Sequence, residues 1–298
     1  PTAPRFGSRP YRSKARKRLK SGCSGPWKSA LPGLEQRRQI KLDVLVREAA
    51  HAFGRAGYHG ASLDAIARNL HAAGANVVLH CHHHADEAEA LAAALPHAEV
   101  VHCDLTDGDA AVALVAQLAM RLPDWRVLVA NASLFEEDSA RALNPAVAGR
   151  AMAVNALTPA RMAQAFLTHA RSAAGRRVIQ LTDQKLANPN PDFFSYSISK
   201  YATDGAAQML AMTTTGPDRV FRLAPGAILP SHDQTPGEAE VSHRMNPLRR
   251  RTHASEVSDA ALFLASAPLA SGQQLLIDSG QHLLAQSRDV LYLARLED

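Results

Sequence analysis

Asp183, Tyr196 and Lys200 are the residues whose types and spacing most readily do chemistry. Positions i and i+4 of a helix share a face, so Tyr196 and Lys200 can point into one pocket. An ammonium beside a phenol favours the phenolate and draws its pKa from about 10 toward working pH, which makes it a usable acid or base. A Tyr and a Lys also share helix faces by chance, so the pair gains meaning from its surroundings. Residues 177–182, Arg-Val-Ile-Gln-Leu-Thr, form a short apolar run ending in polar residues, the pattern of a buried parallel strand, and Asp183 stands at its carboxyl end. Ligands of open α/β sheets bind at that edge, where all three side chains can converge. Residues 125–131 repeat the pattern, with Asn131 and Ser133 at its end, and Asn155 follows a predicted helix.

Six motifs occur in order: Asp104-Leu105-Thr106, Asn131-Ala132-Ser133, Asn155-Ala156, Tyr196-x-x-x-Lys200, Pro225-Gly226, and Ser271 to Gly280. On these the chain resembles the short-chain dehydrogenase/reductases over roughly residues 71–298. Most of that family carries Ser where Asp183 stands; Asp there, with Asn131-Ala-Ser-x-Phe135, is similar to the pteridine reductase branch, which includes dihydrofolate and dihydromonapterin reductases. The resemblance implies a doubly wound parallel α/β sheet and NADPH-dependent reduction of a pterin or folate. Tyr196 would deliver the proton, Lys200 would lower its pKa and hold the nicotinamide ribose, Asp183 would orient or relay the proton, and Asn155 would support a water chain behind Lys200. Ser133 would contact cofactor phosphate and pterin, and Phe135 would stack on the pterin ring. Asp104, Leu105, Asn131, Pro225 and Gly226 would complete the cofactor site.

Each residue also has a plainer reading. Phe135 fits a buried apolar anchor, and Ser133 fits a helix N-cap ahead of Glu136 and Glu137. Asn131 and Asn155 fit the task of satisfying buried backbone groups.

The chain of 298 residues, 46% hydrophobic and 20% charged, suits one large soluble α/β domain. No apolar run approaches the roughly 18 residues a bilayer span requires. Cys23, Cys81 and Cys103 lack metal-ligand spacing and cannot all pair, which suggests a reducing compartment, and the cytoplasm is the expected location. The net charge of +5 is concentrated in residues 1–41, where Glu35 is the only acid among many Lys and Arg. That segment reads as a basic, disordered tail; nucleic-acid binding is the lesser reading.

Residues 42–70 lack the TGxxxGxG turn with which this family cradles pyrophosphate at a helix N-terminus. They resemble instead the opening of a tetracycline-repressor-type helix-turn-helix, with Ser62 as a cap before Leu63 and Ile66, but no recognition helix follows. Two readings remain. Leu42 to Val46 can serve as a makeshift first strand with Gly54, Gly57 and Gly60 as a degenerate phosphate loop. Alternatively, and this is the expectation carried forward, an atypical helical segment replaces the strand and loop. At the second strand end His83 stands where the branch carries Arg, and no acid is present to bind a free ribose 2′-hydroxyl, so NADPH is expected over NADH. The run of histidines on a strand alternates faces and suggests no metal site.

The elements that must position the site read as helices over 86–94, 110–121, 145–173, 196–214 and 256–265. Strands read over 98–103, 220–223 and 275–278, with a mobile substrate lid over 231–251. The family resemblance implies a homotetramer. A cofactor-impaired relative and, less favoured, a DNA-binding regulator are the competing functions.

Overall fold

The computed structural model describes residues 42–47, 60–230 and 234–296. Among them, seven strands form one parallel sheet in the order β3-β2-β1-β4-β5-β6-β7. They are β1 (Leu42–Arg47), β2 (Ala75–Cys81), β3 (Glu99–His102), β4 (Trp125–Ala130), β5 (Arg177–Leu181), β6 (Arg219–Pro225) and β7 (Gln274–Ile277). The order runs outward in both directions from β1 and β4, the doubly wound arrangement expected from the sequence. The switch point between those two strands opens a crevice at their carboxyl ends.

The sheet is a hydrophobic partition with different side chains on each face. Every residue of β4 and of β5 is buried, as strands covered on both sides require. Val127, Val129, Ile179, Leu181, Phe221 and Leu223 enter one core cluster, and the alternate residues Leu128, Val178 and Val220 enter the other, following the two-residue period of a strand. On the first face α1 (Gly60–Ala72) and α8 (Ala254–Ser266) supply Ile66, Leu70, Val257 and Leu264. On the second, α3 (Gly108–Arg121), α5 (Thr158–His169) and α6 (Phe194–Thr213) supply Val115, Phe166 and Ala207. Each such Leu, Val or Phe stabilises the fold by roughly 1.5–3 kcal/mol relative to exposure.

Residues 42–47 correct the expectation for the N-terminal segment. They do not belong to a helical piece that replaces the first strand: β1 pairs in parallel with β2 through Leu42↔Ala75 to Arg47↔His80 and with β4 through Val44↔Val127 to Val46↔Val129. A run of Leu-Asp-Val-Leu-Val-Arg is short and β-branched, and two neighbours with open edges supply pairing that local pattern cannot reveal. Helix α1 begins at Gly60, so Ser62 lies inside its first turn rather than capping it. The likeness to a helix-turn-helix also ends here, because α1 leads directly into β2 and Asn69 donates to Asp259 of α8 at 2.8 Å. Gly54 and Gly57 of the candidate phosphate loop lie outside the described residues, as does the basic segment 1–41, while its third glycine, Gly60, is the first residue of α1.

The other helices are α2 (Ala85–Ala93), α4 (Pro145–Ala151), α7 (Pro236–Ser242) and α9 (Val290–Ala294). The one or two helices expected over 145–173 are α4 and α5 joined through a π-helical turn, Met152–Leu157, and they stop at His169. Within the expected lid, α7 is a formed helix with a capping box between Thr235 and Glu238. Among the described residues no helix is long and apolar enough to cross a membrane.

Central placement makes β1 a sensitive element. Val44→Pro removes a ladder hydrogen bond and introduces a ring into a strand paired on both sides, and is expected to destabilise by at least about 2–3 kcal/mol in chemical denaturation. A variant as stable as the parent would place these residues outside the sheet.

Candidate active site

Strand β5 ends at Leu181, and Asp183 follows it in extended conformation at the top of the sheet. Its side chain divides its two oxygens: Oδ1 accepts the Lys185 N–H at 2.7 Å, and Oδ2 accepts the Tyr196 hydroxyl. Tyr196 and Lys200 are one helical turn apart on α6, 5% and 3% exposed. The Lys200 ammonium lies 5.7 Å from the Tyr196 ring centroid and donates to the Leu181 carbonyl at 2.9 Å. The three residues singled out by spacing therefore meet.

Burial and charge oppose each other within the group. Burial pushes the Asp183 carboxyl above the usual carboxylate range, and the Tyr196 hydroxyl, the Lys185 N–H and the two lysines work against that shift. Burial likewise lowers the Lys200 ammonium to about 8, with the Asp183 charge resisting. A carboxyl easier to protonate than usual and an ammonium easier to deprotonate, joined through a phenol, form a relay able to hold or pass a proton.

The amino end of α6 that presents Tyr196 is built from a neighbouring loop. Phe193 adopts a left-handed conformation, φ 51°, which costs a non-glycine residue on the order of 1 kcal/mol. Its N–H donates to the Asp138 carbonyl at 2.9 Å, and the Asp138 side chain caps the helix by accepting the Ser195 N–H at 2.9 Å and the Ser195 hydroxyl. The Phe193 ring is stacked with Phe135 at 4.1 Å, and Phe135 meets Tyr196 edge-on at 4.7 Å. Phe135 is thus both an aromatic anchor and a wall of the cleft that holds Asp183, Tyr196, Gly226, His243 and Gln281.

Asn155 sits in the π-helical turn, an irregularity frequent at functional sites. Its Oδ1 accepts the Leu134 N–H at 2.6 Å, and its Nδ2 donates to the Leu134 carbonyl at 2.9 Å and to Ser199 Oγ at 2.8 Å. The plain structural role foreseen for Asn155 is therefore real: it ties the Ser133–Phe135 loop to the helix carrying Lys200. Asn131 and Ser133, at the end of β4 and beside the switch point, are 2% and 3% exposed. Asn131 Nδ2 and Ser133 Oγ are buried without a hydrogen-bond partner, and Ser133 caps none of the described helices. Such groups are costly unless a ligand or water completes them.

The remaining expected residues lie along the same sheet edge. Leu105 is buried in the core at 3% exposure, and Asp104 beside it accepts the Thr106 N–H at 2.8 Å. Although burial raises the Asp104 pKa, that N–H and the nearby His82 and His83 bring it below the ordinary value. His83 is exposed after β2, its ring 3.6 Å from that of His82. Pro225 ends β6, and Gly226 is packed so closely that a Cβ there would lie 2.8 Å from both Asp278 Cβ and Gln281 Oε1. Sequence reasoning missed Lys185, Phe193, His243, Gln281 and Asp289; Lys185 and Asp289 bind each other across about a hundred residues, Phe193 meets Phe135 and Asp138, and Gln281 accepts the Ala227 N–H. A signal existed only for Phe193, as an aromatic close before Tyr196.

A family model described as enoyl-(acyl carrier protein) reductase matches residues 63–282. The chain belongs to the short-chain dehydrogenase/reductase family. It is an oxidoreductase family, and the sequence resemblance is thereby upheld. FolM alternative dihydrofolate reductase 1 from Brucella canis, solved in complex with NADP, is 33% identical with a TM-score of 0.74, covering 83% of this chain and 96% of that one. Its counterpart from Brucella suis, also with NADP, is 32% identical with a TM-score of 0.74, covering 84% and 98%. Pteridine reductase 1 from Leishmania tarentolae is 29% identical over 268 residues, covering 74% of this chain and 92% of its own.

Because Asn155 pairs both the N–H and the C=O of buried Leu134, Asn155→Ala leaves a donor and an acceptor unpaired. We expect a loss of roughly 2–4 kcal/mol in thermal or chemical denaturation, while Asn155→Asp, which retains only the acceptor, loses part of the same stability.

Proposed function

We propose that this short-chain dehydrogenase/reductase reduces a pterin or dihydrofolate-type substrate with NADPH. The observation that carries the proposal is the Tyr196 hydroxyl bonded to Asp183 above the Lys200 ammonium, in a cleft with Phe135 on its wall. Similarity to dihydrofolate and pteridine reductases supports the substrate class.

The residues present fit the cofactor. The unpartnered Asn131 Nδ2 and Ser133 Oγ follow the carboxyl end of β4, one of the two strands at the switch point, where an ordered ligand can complete them, and the close packing at Gly226 leaves no room for a side chain there. Asp104 and Leu105 would border the adenine end, His83 would meet the 2′-phosphate, and Pro225 and Gly226 the nicotinamide end. When bound, NADPH supplies the hydride to an electrophilic ring carbon of the substrate.

The chain supplies the proton. As a ring C=N accepts hydride at carbon, its nitrogen gains electron density and takes a proton from Tyr196 Oη. Lys200 stabilises the phenolate that remains, and its position under Tyr196 also suits a ribose hydroxyl. Asp183, which accepts the Tyr196 hydroxyl as a carboxylate, takes up a proton from solvent through the open cleft and passes it to the phenolate, a step made easier by the upward displacement of its carboxyl pKa. Ser133 and Phe135 would orient a flat heterocycle, the ring offering its face. A paired central strand favours this reading over a cofactor-impaired relative, since β1 is what the switch point needs. Exposed Leu157, Met209 and Met212 offer apolar surface for the homotetramer proposed here, and the cytoplasm is the proposed location.

Tyr196→Phe is expected to lower turnover of dihydropterins or dihydrofolate by about 10²–10⁴, with NADPH affinity by fluorescence titration unchanged; undiminished turnover eliminates Tyr196 as the acid. The pH profile supplies a second test. Lys200 is cationic below about 8 and neutral above it, so reductive turnover at saturating cofactor should decline on the alkaline side through pH 8. A rate level to pH 10 contradicts that role.

A further inference from the structure

The end of the chain returns to the proton-delivering group. Lys185, 5% exposed, extends its ammonium to the Asp192 carbonyl at 2.8 Å and to Asp289 Oδ2 at 3.0 Å. Its own N–H is the one that holds Asp183 Oδ1. Asp289 is in turn held: its N–H donates to Asp192 Oδ2 at 2.8 Å, and its Oδ1 accepts the Leu291 N–H at 3.1 Å. Arg288 Nε donates to Asp192 Oδ2 at 2.8 Å. Leu291, 3% exposed, packs in the cluster of Phe193 and Tyr196, and both Val290 and Leu291 line the cleft.

Charge explains why these links belong together. Lys185 and Lys200 are buried beside Asp183 and Asp289, in surroundings where an unpaired charge is strongly unfavourable, while the half-exposed Arg288 holds the buried Asp192 from the solvent side. Removal of one carboxylate leaves the buried Lys185 ammonium short of a partner. Asp183 accepts the backbone N–H of the same residue and already feels the charge of its ammonium, so a Lys185 side chain released from Asp289 competes with the Tyr196 hydroxyl for that carboxylate. No local feature of residues 288–295 announces this, because the partners are about a hundred residues distant.

We infer that Asp289 is a positioning residue for the Asp183–Tyr196 pair and acts through Lys185, an inference that rests on the reductase reading above. A second tie from the same segment provides an internal contrast. Arg295 Nε donates to Glu238 Oε1 at 2.8 Å and joins the end of α9 to α7, the helix of the substrate lid, without contact to Lys185. Damage to α9 in general affects both ties, whereas loss of the Asp289 charge alone affects the proton-delivering pair.

The test uses the full chain with Asp289→Asn, which keeps the shape and the acceptor for Leu291, together with Asp289→Glu, Arg295→Ala and Lys185→Met. Asp289→Asn should lower kcat on a dihydropterin on the order of tenfold with KM within about twofold. Asp289→Glu should recover most of that loss, and Arg295→Ala should raise KM while kcat holds. Lys185→Met should reproduce the kcat-selective loss, and it decides the matter if the Asn variant does not fold. Equal changes in the same parameter for Asp289→Asn and Arg295→Ala, or an unchanged kcat, overturn the inference. Hydrogen–deuterium exchange without substrate separates this from the reductase reading: Asp289→Asn should raise exchange in peptides spanning 183–193 whatever the substrate. Wild-type protein inactive on dihydropterins removes the substrate reading alone; unaltered exchange removes the positioning role.

Discussion

The structure is organised around a buried proton-bearing contact, the Tyr196 hydroxyl on the Asp183 carboxylate with the Lys200 ammonium beneath. Ionised groups in such a place are tolerated only when every one has a partner. That requirement reaches far. The end of β5 supplies the Leu181 carbonyl to Lys200, the turn after it supplies the Lys185 N–H to Asp183, and the chain end supplies Asp289 to Lys185. The same demand places α6 so that its first turn is capped by Asp138 from a different loop.

Rigidity and reactivity have different sources here. Rigidity comes from the two apolar layers on either face of β4, β5 and β6, where alternate residues divide cleanly between clusters. Reactivity comes from the polar residues just beyond the strand ends, where the apolar run stops and the backbone turns. Asn155 connects the two. It sits in a π-helical turn between packed helices, yet its side chain fixes the N–H and the C=O of Leu134, and so the loop that carries Ser133 and Phe135.

Legibility in the sequence varied with the range of the cause. Tyr196 and Lys200 are four residues apart on one helix, so periodicity alone put them on one face. Asp183 was readable as the residue past an apolar run. The β1 strand was readable only as the less favoured of two alternatives, because Leu42 to Arg47 resembles the start of a helical stretch until its two neighbours are in place; pairing with β2 and β4 is a tertiary decision. Ser62 was misread for a related reason, since a serine marks a helix start only when the helix does not already include it. The π-helical turn within 152–157 was invisible for want of any compositional mark.

The sequence by itself determined the fold class, the order of the principal strands and helices from β2 to β7 but not α7 or α9, and the three side chains at the head of β5 and α6. These follow from spacing and apolar periodicity, which act within a few residues. The tertiary structure decided which segment fills the central strand, which polar atoms of Asn131 and Ser133 are left without partners, and that Asp192, Arg288 and Asp289 stand behind Asp183. Those outcomes depend on charges and strand edges that meet only after the chain has closed on itself, and a buried charge takes its partner from whatever part of the sequence the fold delivers to it.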